Sequence, residues 1–122
     1  MKIEVSTGEI VDKYTILQIK KEKCTDSEKL NNIMNELNSL ESIVENLEIP
    51  QNLISDLKLV NLKLWEIEDS IRLCESDKKF DSEFIELARS VYITNDHRFK
   101  IKNQINIVTK SLIVEEKILP QY

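Results

Sequence analysis

The sequence predicts an all-α protein: one domain of four helices, mainly antiparallel, preceded by a short extended N-terminal arm. Three observations predict it. One Gly and two Pro in 122 residues are too few for the many turns of a β fold. Apolar residues recur every three or four positions along nearly the whole chain, which is the spacing of a helix face rather than of a strand. Polar breaks interrupt that spacing at three places, giving four helices joined by loops of about 2 to 6 residues. A chain of 122 residues has room for one modest hydrophobic core, so residues 1–122 form a single helical domain.

In the arm, Met1 to Val5, Ile3 and Val5 alternate with Lys2 and Glu4 as in an extended segment. Ser6-Thr7-Gly8-Glu9 then matches a capping box, in which Ser6 accepts from the backbone N–H of residue 9 and Glu9 reaches back. The first helix runs from about Gly8 to Cys24, with Ile10, Tyr14 and Leu17 on one side and Ile16 and Ile19 beside them. Gly8 relieves a tight approach at its start.

Thr25-Asp26-Ser27-Glu28 breaks this helix and caps the next. The second helix carries Leu30, Ile33, Leu37, Leu40, Val44 and Leu47 in an unbroken seam of the coiled-coil or bundle kind. Glu48-Ile49-Pro50 ends it, because helical geometry is disfavoured just before proline. The third helix, Gln51 to about Glu75, aligns Leu53, Leu57, Val60, Leu64, Ile67, Ile71 and Cys74. Ser76 to Phe80 is a turn, and Asp81-Ser82 opens the fourth helix. Its seam reads Leu87, Val91, Thr94, Arg98, Ile101, Ile105, Val108 and Leu112, with two consecutive polar positions in its middle. The stretch Leu112 to Leu119 suits helix, a strand paired with the N-terminal arm, or a docked tail.

A net charge of −5 argues against nonspecific nucleic-acid binding, since neutralising phosphates needs a basic face. No apolar run approaches the ~20 residues that span a bilayer, and the opening residues lack the apolar core of a signal peptide, so a cytoplasmic protein without a membrane partner is expected. Cys24 and Cys74 lie at apolar helical positions and read as small buried hydrophobes. With one Gly there is no phosphate-binding glycine loop, and with one His, His97, no zinc set, so neither cofactor nor metal is expected from motifs.

The informative residues are the three arginines, Arg72, Arg89 and Arg98, in a chain that otherwise uses Lys fourteen times. Lys suffices for a solvated face, so arginine retained here points to its planar fork, which grips a carboxylate or phosphate through two bonds. Arg98 on an apolar seam requires a paired acid or a wet pocket. Arg89, Tyr92 and Asp96 share a second stripe of the same helix, with Asn95 alongside, and Glu68 and Arg72 stand four apart on the third helix near Trp65. The same forks also suit internal ion pairs. A separate pattern, Glu66-x-x-Asp69 and Glu83-x-x-Glu86, places two acids one turn apart on each of two helices, as magnesium ligands could be. It resembles the all-helical nucleotide pyrophosphohydrolases with the order of the two pairs reversed. With 15 Glu and 7 Asp in the chain, solvated faces explain it more simply.

Three stretches carry a family resemblance: Val5-Ser6-x-Gly8-Glu9-x-x-Asp12-Lys13-x-Thr15-Ile16-Leu17-x-Ile19-Lys20, Leu64-Trp65-x-Ile67-Glu68-Asp69-x-Ile71-Arg72, and Phe84-Ile85-x-Leu87-Ala88-Arg89-x-Val91-Tyr92-x-Thr94-Asn95-Asp96-x-Arg98. Ile105-Asn106, Ser111 and Glu115-Glu116-Lys117 complete it. The chain resembles a bacterial and phage family of short proteins of unknown function, which implies no activity but marks these charged residues as family features. The family pattern has a glycine just before the serine at 111, where this sequence has Lys110, which puts a sharp turn there in question.

The sequence therefore points to a binding module for a small anionic ligand, held by Arg72, Arg89 and Arg98 and oriented by Asn95, Asp96, Tyr92, Glu68 and Lys13. Two alternatives stand beside it. One is a magnesium-dependent nucleotide hydrolase using Glu66, Asp69, Glu83 and Glu86; the other is an interaction bundle in which Arg98 meets Glu68 or Glu75 and no cavity remains. The complete seam of the second helix also predicts a homodimer.

Overall fold

A computed structural model describes residues 1–122. It contains four helices and no strand: α1 Thr7–Lys23, α2 Ser27–Asn46, α3 Gln51–Ser76 and α4 Ser82–Val108. Local chemistry sets each start. Ser6 accepts from the backbone N–H of Glu9 at 3.2 Å, Asp26 accepts from Glu28 and Lys29, and Asp81 accepts from Glu83, while α3 opens directly after Pro50 with no side-chain cap. The capping box is half formed, because Glu9 turns its carboxylate to Lys102 of α4.

Three helices end on a residue in the left-handed region, Glu48 after α2, Lys78 after α3 and Lys110 after α4, with φ of 51°, 54° and 52°. In the latter two the following N–H closes back five residues, Lys79 onto Cys74 O and Ser111 onto Asn106 O, both at 2.9 Å. The sharp turn before Ser111 is therefore present, made by a lysine in the conformation glycine adopts most easily.

α1 is the hub. It packs against the other three helices, α3 packs against α4, and α2 touches α1 alone. The side of α1 carrying Val11, Thr15 and Ile19 is fully buried, and Ile10, Tyr14 and Ile16 are only partly covered. Val11 joins Leu53, Leu57 and Val60 of α3 and Ile101 and Ile105 of α4 in the main apolar cluster. Along α1 and α4 the paired positions run in opposite order, Gly8 with Asn106 and Asp12 with Arg98.

Gly8 marks the closest approach of these two helices. Its N–H donates to Asn106 Oδ1 at 2.7 Å, and a Cβ at this position would sit 2.5 Å from the Lys102 carbonyl oxygen. Backbone blocks backbone there, so any side chain would force α1 and α4 apart.

Three expectations change. The seam of α2 is only half covered, with Leu37 and Val44 buried and Leu30, Ile33, Leu40 and Leu47 partly exposed, because α1 is its sole neighbour. The seam of α4 stops at Ile105: Val108 is 52% and Leu112 100% exposed, and the buried face continues instead through Lys102 and Asn106. Cys74 is buried as expected, but Cys24 lies half-exposed at the end of α1.

Beyond Lys110 the chain is neither helix nor strand and docks along α4, so no pairing forms with Met1–Val5. Ser111 ties the two ends of the chain together, accepting from the Thr7 N–H at 3.0 Å. Farther along, Glu115 meets Lys102, Lys117 and Tyr122 meet Asp96, and the Tyr122 ring stands edge-on to Tyr92.

Candidate functional site

The polar interior begins with Asp12, which the turn of α1 places beside Val11 and which is 2% exposed. Arg98 grips both its oxygens, Nε donating to Oδ1 at 2.9 Å and Nη2 to Oδ2. Asn61 of α3 donates one Nδ2 proton to Asp12 Oδ1 at 2.9 Å and the other to Thr15 Oγ1 at 3.0 Å, and Thr15 in turn donates to the Asp12 carbonyl. Lys102, its side chain 7% exposed, lies 3.9 Å from Asp12 and bonds to Glu9 at 2.9 Å and Glu115 at 3.2 Å. Two cations thus share three carboxylates around the junction of α1, α3, α4 and the C-terminal segment. A buried charge is tolerable only when paired and hydrogen-bonded, and here each one is.

Electrostatics follow from these contacts. The Asp12 hydrogen bond, with the charges of Asp12, Glu9 and Glu115, holds the Arg98 guanidinium above its ordinary pKa despite burial. For Lys102 burial is the largest single influence and acts downward, but Glu9, Asp12 and Glu115 together outweigh it and the ammonium is stabilised. Both residues remain cationic, so neither serves as a neutral base or amine nucleophile near neutral pH.

A cleft of about 540 Å³ opens beside this network, between α1, α3 and α4. Glu68, Arg72, Asn95 and Arg98 line it, four of the residues singled out from sequence, joined by Trp65 and Asn61. Arg72 bonds Glu68 at 2.9 Å in an exposed pair one turn apart, which is weak and exchangeable. The Nη1 group of Arg98 is less committed than its other edge, with only a 3.4 Å contact to Asn95 Oδ1.

The other expected residues lie elsewhere. Arg89 bonds Glu86 at 2.9 Å on the exposed side of α4, and that bond, followed by one with Tyr92, raises its pKa. Tyr92 and Asp96 face the C-terminal segment. Lys13 is exposed and bridges to Glu36 of α2 at 3.0 Å. Arg98 meets neither Glu68 nor Glu75 but Asp12, and the cavity persists.

Glu66, Asp69, Glu83 and Glu86 are all exposed, and no group of three or more acids, His or Cys gathers as a ligand set. Sequence reasoning missed Asp12, Asn61 and Lys102 as one unit. A signal was available for Asp12, since it sits on the buried stripe with Thr15 and Ile19, where a lone acid demands a cation.

Fold and site together define a small all-helical protein with a satisfied ionic core and an adjacent open cleft. The chain matches the model of the family of unknown function DUF6165 over residues 1–120 and belongs to that family. No curated protein and no solved structure matches it.

Proposed function

We propose that this protein binds a small molecule bearing an anionic group in the cleft between α1, α3 and α4. The observation that carries the reading is that Arg72 and Arg98 line the same cleft together with Trp65. The two arginines have different tasks. Arg98 is fixed by Asp12 and offers one spare N–H edge, whereas Arg72 is tethered only by an exposed glutamate that a better anion displaces. Arg98→Lys is a poor probe, because lysine cannot reproduce the two-pronged grip on a buried carboxylate. Arg72→Gln is the clean one. A panel of inorganic phosphate, acetate, succinate and the common amino acids is expected to raise the melting temperature of the wild type with at least one member. Arg72→Gln should keep the wild-type melting temperature and lose that rise; equal responses in both proteins end the proposal.

A second reading concerns assembly. Past Ile67 of α3 only Cys74 is buried, and before Thr94 no residue of α4 is. The far half of the α3–α4 hairpin, bare of α1 and α2, exposes Leu73 at 64%, Phe80 at 52% and Ile85 at 55%. A two-helix hairpin buries little by itself, and a second copy related by a two-fold axis completes a four-helix arrangement at this end.

A further inference from the structure

The lining of the cleft is not cationic but balanced, with Glu68 and Asp69 set against Arg72 and Arg98. A ligand that is only anionic would meet two carboxylates along with the two guanidiniums.

The floor is more selective than the rim. Asn61 is 5% exposed, and both protons of its amide nitrogen go to Asp12 and Thr15. This orientation is fixed by chemistry: a flipped amide would aim its oxygen at the Asp12 carboxylate, and the Thr15 hydroxyl, already donating to the Asp12 carbonyl, can only accept from Asn61. Asn61 Oδ1 consequently accepts no hydrogen bond in the protein. No sealed side-chain oxygen or nitrogen goes unpaired, so this atom keeps some exposure, and Asn61 is among the residues lining the cleft. An acceptor at the floor repels the lone pairs of a carboxylate or phosphate and calls for an N–H or O–H.

Taking the cleft as a ligand site, on which this step rests, we infer that its ligand is an aminocarboxylate, an α-amino acid or close relative. The carboxylate pairs with Arg72 and the spare edge of Arg98. The ammonium group donates to Asn61 Oδ1 and faces Glu68 and Asp69. The side chain lies against Ile16, Leu64 and Trp65, a surface suited to an apolar or flat group.

The experiment titrates the full chain by calorimetry with each common L-amino acid, then takes the tightest one with its N-acetyl derivative and its decarboxylated amine, and with acetate, succinate and inorganic phosphate. Loss of either charge is expected to weaken binding about tenfold or more, the worth of one charge-assisted hydrogen bond. Asp69→Asn, an exposed change that leaves the fold intact, should weaken the amino acid while leaving the N-acetyl derivative unaffected. If acetate, succinate or phosphate binds as tightly as any amino acid, or N-acetylation changes nothing, the aminocarboxylate assignment is overturned while the cleft remains a binding site. If nothing in either set binds, both fall together.

Discussion

Asp12 joins three helices through one carboxylate, accepting from Arg98 of α4 and Asn61 of α3 while sitting on α1. Removing it strands a guanidinium and brings Lys102 closer to being unpaired, and breaking a buried pair from one side costs about 3–5 kcal/mol. Arg98 keeps some access to water, so Asp12→Ala is expected near the lower end, about 3 kcal/mol, read from the midpoint of urea unfolding at unchanged slope. A loss below about 1 kcal/mol would mean that the network is incidental to stability. Lys110 offers the opposite case. A non-glycine residue in the left-handed region costs about 1–2 kcal/mol, partly offset in glycine by the about 0.5–1 kcal/mol it loses in chain entropy. Lys110→Gly should therefore stabilise by up to about 1 kcal/mol, roughly 3–6 °C in melting temperature. Its φ of 52° is the whole reason, since the Lys110 side chain makes no bond that the change would remove.

Among the elements, helix boundaries were legible because they are set by neighbours in sequence: Ser6, Asp26, Pro50 and Asp81 each stand where a helix begins. The C-terminal segment was not legible, because its composition fits several states and its attachment depends on partners far back in the chain. It is held to α4 by polar groups, while Leu112 and Ile118 are 100% and 95% exposed. Its docking should therefore depend on pH. The Tyr122 hydroxyl, and then Lys117, hold the Asp96 carboxyl below the ordinary range, so this contribution is complete above the unfolded-state pKa and is lost as pH falls through the lower, folded value. Tyr122 is shifted the other way, raised chiefly by its bond to Asp96, so its contribution is present below the unfolded tyrosine pKa and lost as pH rises through the folded one. Amide exchange or NMR linewidths at Ile118 and Tyr122 should show the segment released as pH falls below the ordinary carboxylate range and as it rises above the ordinary tyrosine range, with the helices intact between. Release at neither extreme would show that Asp96 does not anchor it.

For the molecule as a whole, the all-helical fold could be read from periodicity, but the assignment of faces could not. Arg98 announced that it needed an acid; which acid depends on α1 crossing to α4, a contact spanning 86 positions, and no local pattern encodes that. The same limit applies to the expected homodimer. Sequence placed its motive on α2, whose seam is complete, whereas Leu73, Phe80 and Ile85 lie exposed at the far end of the α3–α4 hairpin. A seam records that a helix needs neighbours and not how many it receives: α2 takes one, and past Ile67 the third helix buries only Cys74. If a second copy covers that end, sedimentation should give twice the 14.3 kDa chain mass. Leu73→Glu, on a side chain already 64% exposed, should return the protein to a monomer without loss of helical signal, because it removes nothing from the monomer's own core. A charge at a buried apolar contact between copies costs several kcal/mol per subunit, enough to shift a dimer's dissociation by a few powers of ten. A wild type that sediments as a monomer at high concentration would locate the reason for these exposed side chains elsewhere and end the dimer reading.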